Sequence, residues 1–253
     1  MFPIVFGLLP AKKEETYRRF LQMIKSAARR FGTHFSPAII QTDYETAMMN
    51  AIKEELPQSR IRGCFFHFTQ AVWRKVQELG LSIPFRDNDA VKRTVRRVSA
   101  LPLVPLTAID EVWESIHENA PLNINGVESF LNYVVNTWID EIYGLFNRHI
   151  WTHFDNDGAR TNNHLEGFHF KLNKCTGKIH PNIFELILVF QKIQNESEIE
   201  LQYLMNGGKP KNPRKKYRDI HERLMRLRER LGNNEIELLD FVDSCSYHLK
   251  LQS

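Results

Sequence analysis

The sequence predicts an α/β protein with a large helical part, and three observations support this prediction. The first 67 residues alternate short apolar runs with amphipathic stretches, a pattern typical of an α/β layer fold. Residues 68–153 hold amphipathic stretches without a strand-like run, which predicts an all-helical insertion. Residues after Pro181 read as a long amphipathic helix followed by a basic segment, so we expect a helical C-terminal extension.

The composition fits a globular protein and excludes few functions. Of the 253 residues, 42% are hydrophobic and 25% are charged, which is ordinary for a domain with a core. The net charge of +4 is only mildly basic, so the total alone does not identify a nucleic-acid partner. Three widely spaced cysteines favour a reducing compartment over a disulfide framework. No apolar run reaches the ~18 residues that a membrane span needs, and we expect no membrane partner.

Residues 1–67 are predicted to form part of a sheet with its helices. In chain order we expect a buried strand at 3–9, a helix at Glu14–Arg30, a strand at Ala38–Gln41, a helix at Glu45–Leu56 and a strand at Arg60–Phe65. Because the chain opens inside a core strand, we expect that an N-terminal part of this domain is missing.

Three further regions complete the predicted domain organisation. Within the insertion at 68–153, helices are expected at Phe68–Leu79, Asp87–Val98, Thr107–Glu118 and Val127–Tyr143. Residues 154–205 are expected to return to the α/β core, with helices at Asn162–Asn173 and Pro181–Met205. Residues 206–253 form the basic tail. The four tryptophans lie on amphipathic stretches and are expected in the core.

Asp43 is the first candidate for chemistry. It follows a predicted strand, and ligands of open α/β sheets gather at the carboxyl ends of strands. A carboxylate there can hold a divalent cation. Aspartate is also a favoured helix N-cap, so the alternative is a purely structural role before the next helix.

Glu166 is the second candidate. On the predicted helix it shares one stripe with two amides and an imidazole, from residues Asn162, His169 and Asn173. The opposite stripe is apolar. Solvated helix faces usually carry Lys and Glu, so this stripe is unusual. A surface helix with an incidental glutamate remains the alternative.

Three stretches, in this order and spacing, together resemble the Mutator-like (MULE) transposase domain over residues 2–175. They are Leu8-Leu9-Pro10 with Lys13 and Glu15-Thr16-Tyr17; Gln41-Thr42-Asp43-Tyr44-Glu45, leading to Gly63-Cys64-Phe65-Phe66-His67-Phe68-Thr69-Gln70; and Arg160-Thr161-Asn162-Asn163-His164-Leu165-Glu166-Gly167-Phe168-His169.

The resemblance implies an RNase H-like fold, here without its first strands, with the helical insertion placed before the last catalytic acid. It implies a DDE triad in which Asp43 is the second member and Glu166 the third, supported by Asn162, Asn163 and His169. The triad binds Mg²⁺ or Mn²⁺ for DNA strand cleavage and transfer. The first aspartate belongs on an upstream strand and has no match here. We therefore expect this chain to be inactive as a nuclease.

The same resemblance implies DNA as the partner, the nucleus as the location, and a homo-oligomer. The alternative of a different class is a domesticated relic that binds DNA or protein partners without catalysis. An unrelated, helix-rich domain is the third possibility, because short motifs specify families loosely.

Cys64 and His67 form another element found in that family, and they are half of a zinc site. His149 and His153 are spaced to share a helix face and could complete a site. The alternative is a buried cysteine that acts as a small hydrophobe, with His67 hydrogen-bonded nearby.

Basic residues are clustered rather than spread. The main candidate for DNA contact comprises Lys209, Lys211, Arg214, Lys215, Lys216 and Arg218. A weaker candidate on a predicted helix comprises Lys92, Arg93, Arg96 and Arg97. Either run could also be no more than a solvated face.

Overall fold

The computed structural model describes residues 2–156, 171–177, 181–209 and 215–249. The elements in chain order are α1 (Glu14–Arg30), β1 (Ile39–Thr42), α2 (Thr46–Glu55), β2 (Arg60–Gly63), α3 (Phe65–Glu78), α4 (Ser82–Asp87), α5 (Asp89–Ala100), α6 (Ile109–Glu118), α7 (Val127–Val134), α8 (Arg148–Trp151), α9 (Ile183–Met205), α10 (Lys215–Gly232) and α11 (Leu238–Tyr247). Short 3₁₀ turns follow α5, and residues 171–176 are helical. The described fold is mixed and mostly helical, with one small parallel sheet.

The chain divides into two compact units. The first unit comprises the described parts of 1–37, 46–58 and 161–213, and the second those of 38–45, 59–160 and 214–253. Both units draw on separated stretches of chain. The domain boundaries expected from the sequence stay a prediction.

In the first unit, α1 packs against α2. Acidic residues open α1 and basic residues end it, as the helix dipole favours. Its buried stripe holds Tyr17 and Leu21. Along the edge of the pair, Arg18 lies 2.7 Å from Glu54, and the Asn50 amide donates to a Glu14 carboxylate oxygen at 3.0 Å. Both helices were predicted and are confirmed.

The prediction of a buried strand at residues 3–9 is wrong. Ile4 is 90% exposed and Val5 is 49% exposed, and the segment joins no sheet in the described structure. Its Phe6 ring instead stacks on Phe190, with centroids 4.5 Å apart. A strand requires a neighbour for its backbone hydrogen bonds, and a single apolar run cannot show whether that neighbour exists.

Helix α9 also lies in the first unit and begins with a capping box. The Asn182 side chain accepts from the Glu185 backbone N–H at 2.9 Å, and the Glu185 carboxylate accepts from the Asn182 N–H at 3.2 Å. This cap places the helix start two residues after Pro181, and the predicted end at Met205 is confirmed.

The second unit contains the sheet. Strands β1 and β2 pair in parallel, with Ile39 opposite Arg60 and Thr42 opposite Gly63. This parallel pair is consistent with the predicted α/β class, and the RNase H-like fold stays a prediction. Residues 68–153 are helical or irregular and contain no strand, as predicted.

The core of the second unit is aromatic. The Phe68 ring lies 4.6 Å from Trp138 and 5.5 Å from Trp151, measured between centroids. The Trp151 indole N–H donates to the Trp138 carbonyl at 3.1 Å, which satisfies its polar atom inside the core. All four tryptophans are buried, as expected.

The helix predicted at Val127–Tyr143 is shorter than expected. Regular helix ends at Val134, and a π-helical turn carries the chain to Ile139. The Asp140 carboxylate then accepts from the backbone N–H groups of Ile142 and Tyr143, at 2.8 and 2.9 Å. An aspartate that bonds the backbone ahead of it competes with helix continuation, and this ends the helix.

Candidate functional site

Asp43 lies directly after β1, at the carboxyl end of the parallel pair. Its side chain is exposed and accepts one long hydrogen bond of 3.4 Å from the Thr42 hydroxyl. Helix α2 begins at Thr46, so Asp43 is not the residue that precedes the helix. This weakens the N-cap alternative. An exposed carboxylate at a strand end retains oxygen lone pairs for a cation.

Tyr44 packs into the second unit beside Asp43. Its ring meets Trp138 and Phe146 edge-on, with centroids 4.8 and 4.9 Å away. Gly63, at the end of β2, lies against the same ring, and a Cβ at this position would fall 2.5 Å from the Tyr44 Cζ atom. Tyr44, after β1, and Gly63, the last residue of β2, are therefore in close contact, which fixes the position of the loop that begins at Asp43.

A chain of hydrogen bonds holds the end of β2. Arg62 Nη1 donates to Asn156 Oδ1 at 2.8 Å, which directs the Asn156 amide nitrogen toward His153 Nδ1, 3.2 Å away. His153 Nε2 lies 2.8 Å from the Gly63 carbonyl oxygen. A carbonyl only accepts, so Nε2 carries the proton and Nδ1 accepts from Asn156. The network ties residues 153–156 to the sheet.

This network bears on the zinc hypothesis. Both ring nitrogens of His153 are hydrogen-bonded, and His153 is 1% exposed whereas His149 is exposed. Helix α8 ends at Trp151, before His153. The prediction that His149 and His153 share a helix face is therefore wrong.

Cys64 is fully buried at the residue before α3, and His67 Nδ1 is buried without a hydrogen-bond partner in the described structure. Of the residues described, which include all four candidates, no three His, Cys, Asp or Glu side chains are grouped to hold a metal ion. The geometry gives the zinc hypothesis no support, and a zinc measurement on the purified protein would test it.

Glu166 and its predicted supporting residues Asn162, Asn163 and His169 lie outside the described residues. Whether Glu166 converges with Asp43 therefore stays a prediction.

The main basic candidate is described in part. Lys209 is exposed, and Arg218 on α10 is half exposed with its Nε 3.8 Å from Glu222. Lys215 and Lys216 begin α10, while Lys211 and Arg214 lie outside the described residues.

The weaker basic candidate has a partly structural role. Arg97 is 8% exposed and makes a two-point ion pair with Asp243. Arg96 Nη1 donates to the Ser246 carbonyl at 3.1 Å. Two of these four cations therefore attach α11 to α5. The sequence analysis did not single out Asn156, Asp243 or Ser246. Their hydrogen-bond partners lie far away in the sequence, and such pairs leave no local sequence pattern.

Comparison with protein families gives a match over the first part of the chain. Residues 1–71 match the model of the MULE transposase domain. No curated protein and no solved structure matches the chain. The MULE match contains the first two of the three sequence stretches, including Asp43, Cys64 and His67. The third stretch, with Glu166, lies beyond it. Among the described helices, none combines the length and apolar character that crossing a membrane requires.

Proposed function

We propose that this chain is a transposase-related DNA-binding protein of the MULE type, built on an RNase H-like core and acting in the nucleus. The single observation that carries the proposal is the match of residues 1–71 to the MULE transposase domain, with Asp43 exposed at the end of a parallel strand inside it. That strand end is where α/β sheets place their ligand sites.

In the proposed chemistry, Asp43 and Glu166 are two of three carboxylates that hold Mg²⁺ or Mn²⁺. A paired-metal site supplies Lewis acidity to the attacking and leaving oxygens of a phosphodiester. Asp43 and Glu166 offer one carboxylate each, which is too few to hold two ions without the third carboxylate of the triad. The 253 residues contain no match for the first aspartate, so we propose that they do not cleave DNA by themselves.

The test uses the full reading frame that encodes this chain, assayed for Mg²⁺-dependent strand cleavage. Asp43→Asn and Glu166→Gln should each reduce cleavage by at least a hundredfold while DNA binding persists, since electrostatic stabilisation is usually the largest catalytic contribution. Glu114→Gln, an exposed carboxylate on α6, is the matched control. Cleavage that survives both substitutions contradicts the site assignment.

The second candidate function is DNA or protein binding without catalysis, as in a domesticated relic. Full-length protein that binds DNA but shows no metal-dependent cleavage would favour this alternative over the enzyme.

A further inference from the structure

A cleft of about 410 Å³ opens between α10 and α11 in the second unit. One wall carries Arg223, Arg226 and Arg230 of α10. Their spacing of three and four residues places them on one face of the helix. All three side chains are exposed, so their guanidinium groups can reach a ligand in the cleft.

The other wall comes from the end of α11. Tyr247 is 76% exposed, and its ring lies 5.7 Å from the Arg96 guanidinium carbon. Arg96 is held in place by its hydrogen bond to the Ser246 carbonyl. His248 lies beside them. The cleft therefore combines three arginines of α10 with an exposed aromatic ring, which is packed against Arg96 of α5.

The positive charge of the cleft is weakly compensated. Arg226 lies 3.7 Å from Glu222 and Arg230 lies 3.7 Å from Glu235, and both pairs are at least half exposed. Such pairs contribute little, so a stronger anion can displace them. No carboxylate in the described part of the chain lies within 4.0 Å of Arg223. Burial, and then the nearby Arg223 charge, lower the pKa of His248. Only the contribution of Arg223, the smaller of the two causes, reflects positive charge in the cleft.

Phosphate oxygens suit this arrangement. Guanidinium groups bind phosphate through paired hydrogen bonds. From Arg223 to Arg230 a helix rises about 10 Å, so the three guanidinium groups form a row that can follow the phosphates of one strand. An exposed tyrosine beside a basic groove is a stacking platform for an unpaired base.

We propose that this cleft binds the backbone of single-stranded DNA, with a base stacked on Tyr247. The proposal rests on the proposed function for the identity of the strand, and it adds a contact surface outside residues 209–218.

The experiment measures anisotropy of a fluorescent single strand of about 16 nucleotides, titrated with the whole chain at several salt concentrations. Arg223→Ala/Arg226→Ala/Arg230→Ala should weaken binding at least tenfold at about 0.1 M salt. It should also reduce the slope of log affinity against log salt by about 2, the value for three phosphate contacts. Arg19→Ala/Arg29→Ala/Arg30→Ala removes the same charge from exposed positions of α1 and should weaken binding less than threefold.

Tyr247→Ala separates stacking from charge. We expect a loss of between about five- and 150-fold with the salt slope unchanged. The imidazole NMR signals of His248 should shift when the oligonucleotide is added, and far-UV circular dichroism should show that each variant folds.

The outcomes separate the two claims. If the wild type binds the strand and the cleft and control variants weaken binding equally, the cleft assignment is wrong, but the proposal of DNA binding remains. A wild-type chain that binds neither single nor double strands overturns both. Tighter binding of duplex, with Tyr247→Ala silent, overturns the single-strand assignment.

Discussion

Arg97 and Asp243, which are 146 residues apart in the chain, form a two-point ion pair that fastens α11 to α5. Arg97 Nε lies 2.7 Å from Asp243 Oδ1, and the second guanidinium nitrogen lies 2.8 Å from Oδ2. Arg97 is buried and the Asp243 side chain is 34% exposed. A guanidinium in this position depends on its carboxylate, because few waters can replace it.

Asp243→Ala should therefore destabilise the protein by about 1–3 kcal/mol, since it leaves a buried cation without its partner. Urea denaturation followed by circular dichroism measures the change. The control is Arg93→Ala, an exposed position on α5, the helix that carries Arg97. It should change the free energy of unfolding by less than about 0.5 kcal/mol. If the two substitutions had equal effects, the ion pair would not be what holds α11.

Gly63→Ala should destabilise the protein by about 1–3 kcal/mol, because the added methyl group overlaps the Tyr44 ring. The cost should shrink when Tyr44→Ala is already present, which thermal unfolding of the four variants in a double-mutant cycle would measure. Gly232→Ala is the control, since its new methyl group meets no atom within 4 Å. Full additivity of the two substitutions would count against the contact.

Tyr44→Phe should raise stability by about 1 kcal/mol near neutral pH. The Tyr44 hydroxyl is buried and has no hydrogen-bond partner in the described structure, and such a group costs free energy. Denaturant midpoints compare the variant with the wild type, and Tyr143→Phe, at an 85% exposed position, is the neutral control.

Tyr44→Phe should also change how the free energy of unfolding depends on pH in the alkaline range. Burial first, and the neighbouring Cys64 second, raise the pKa of Tyr44 well above its ordinary value. Below about pH 10 the phenol is neutral in both states and contributes nothing to the pH dependence. Above it the unfolded chain loses the proton while the folded protein keeps it, so stability falls. Between about pH 9 and 11 the Phe variant should lose less stability than the wild type. Equal losses of the free energy of unfolding in the two proteins over this range would contradict the prediction.

His248 should make the protein less stable in mild acid. Its pKa is lowered by burial and by Arg223, so the unfolded chain takes up the proton first as pH falls below about 6.5. The contribution of His248 to the free energy of unfolding is fully present above that pH. It is lost as the pH falls toward the lowered pKa of the folded state. His248→Gln should therefore lose less stability than the wild type between about pH 7 and 5. The exposed His34→Gln is the comparison, and urea midpoints at both pH values decide.

Helices could be predicted from sequence where the signal is local. Helix α1 carries its apolar stripe and end charges within 17 residues, and the periodicity placed it correctly. The start of α9 was also close, because Pro181 and the capping residues lie within a few positions of each other. The early strand at 3–9 was not predictable, since a strand depends on a neighbour that its own residues do not specify.

Side-chain partners were harder to predict than helices. Arg96 and Arg97 have the same local pattern as a solvated basic face, and only the folded chain places Ser246 and Asp243 beside them. The His149 and His153 spacing suggested a shared face, but α8 ends between them. In contrast, Asp43 was assigned to a strand end from its flanking residues, and the structure places it there.

The attachment of α11 to α5 has a consequence during synthesis. When Arg97 leaves the ribosome, helix α11, which carries its partner Asp243, has not yet been translated. At about 5–20 residues per second, 146 residues correspond to roughly 7–30 s of waiting. For that interval the nascent chain exposes the part of α5 that α11 later contacts. A premature stop codon before position 238 would make this exposure permanent.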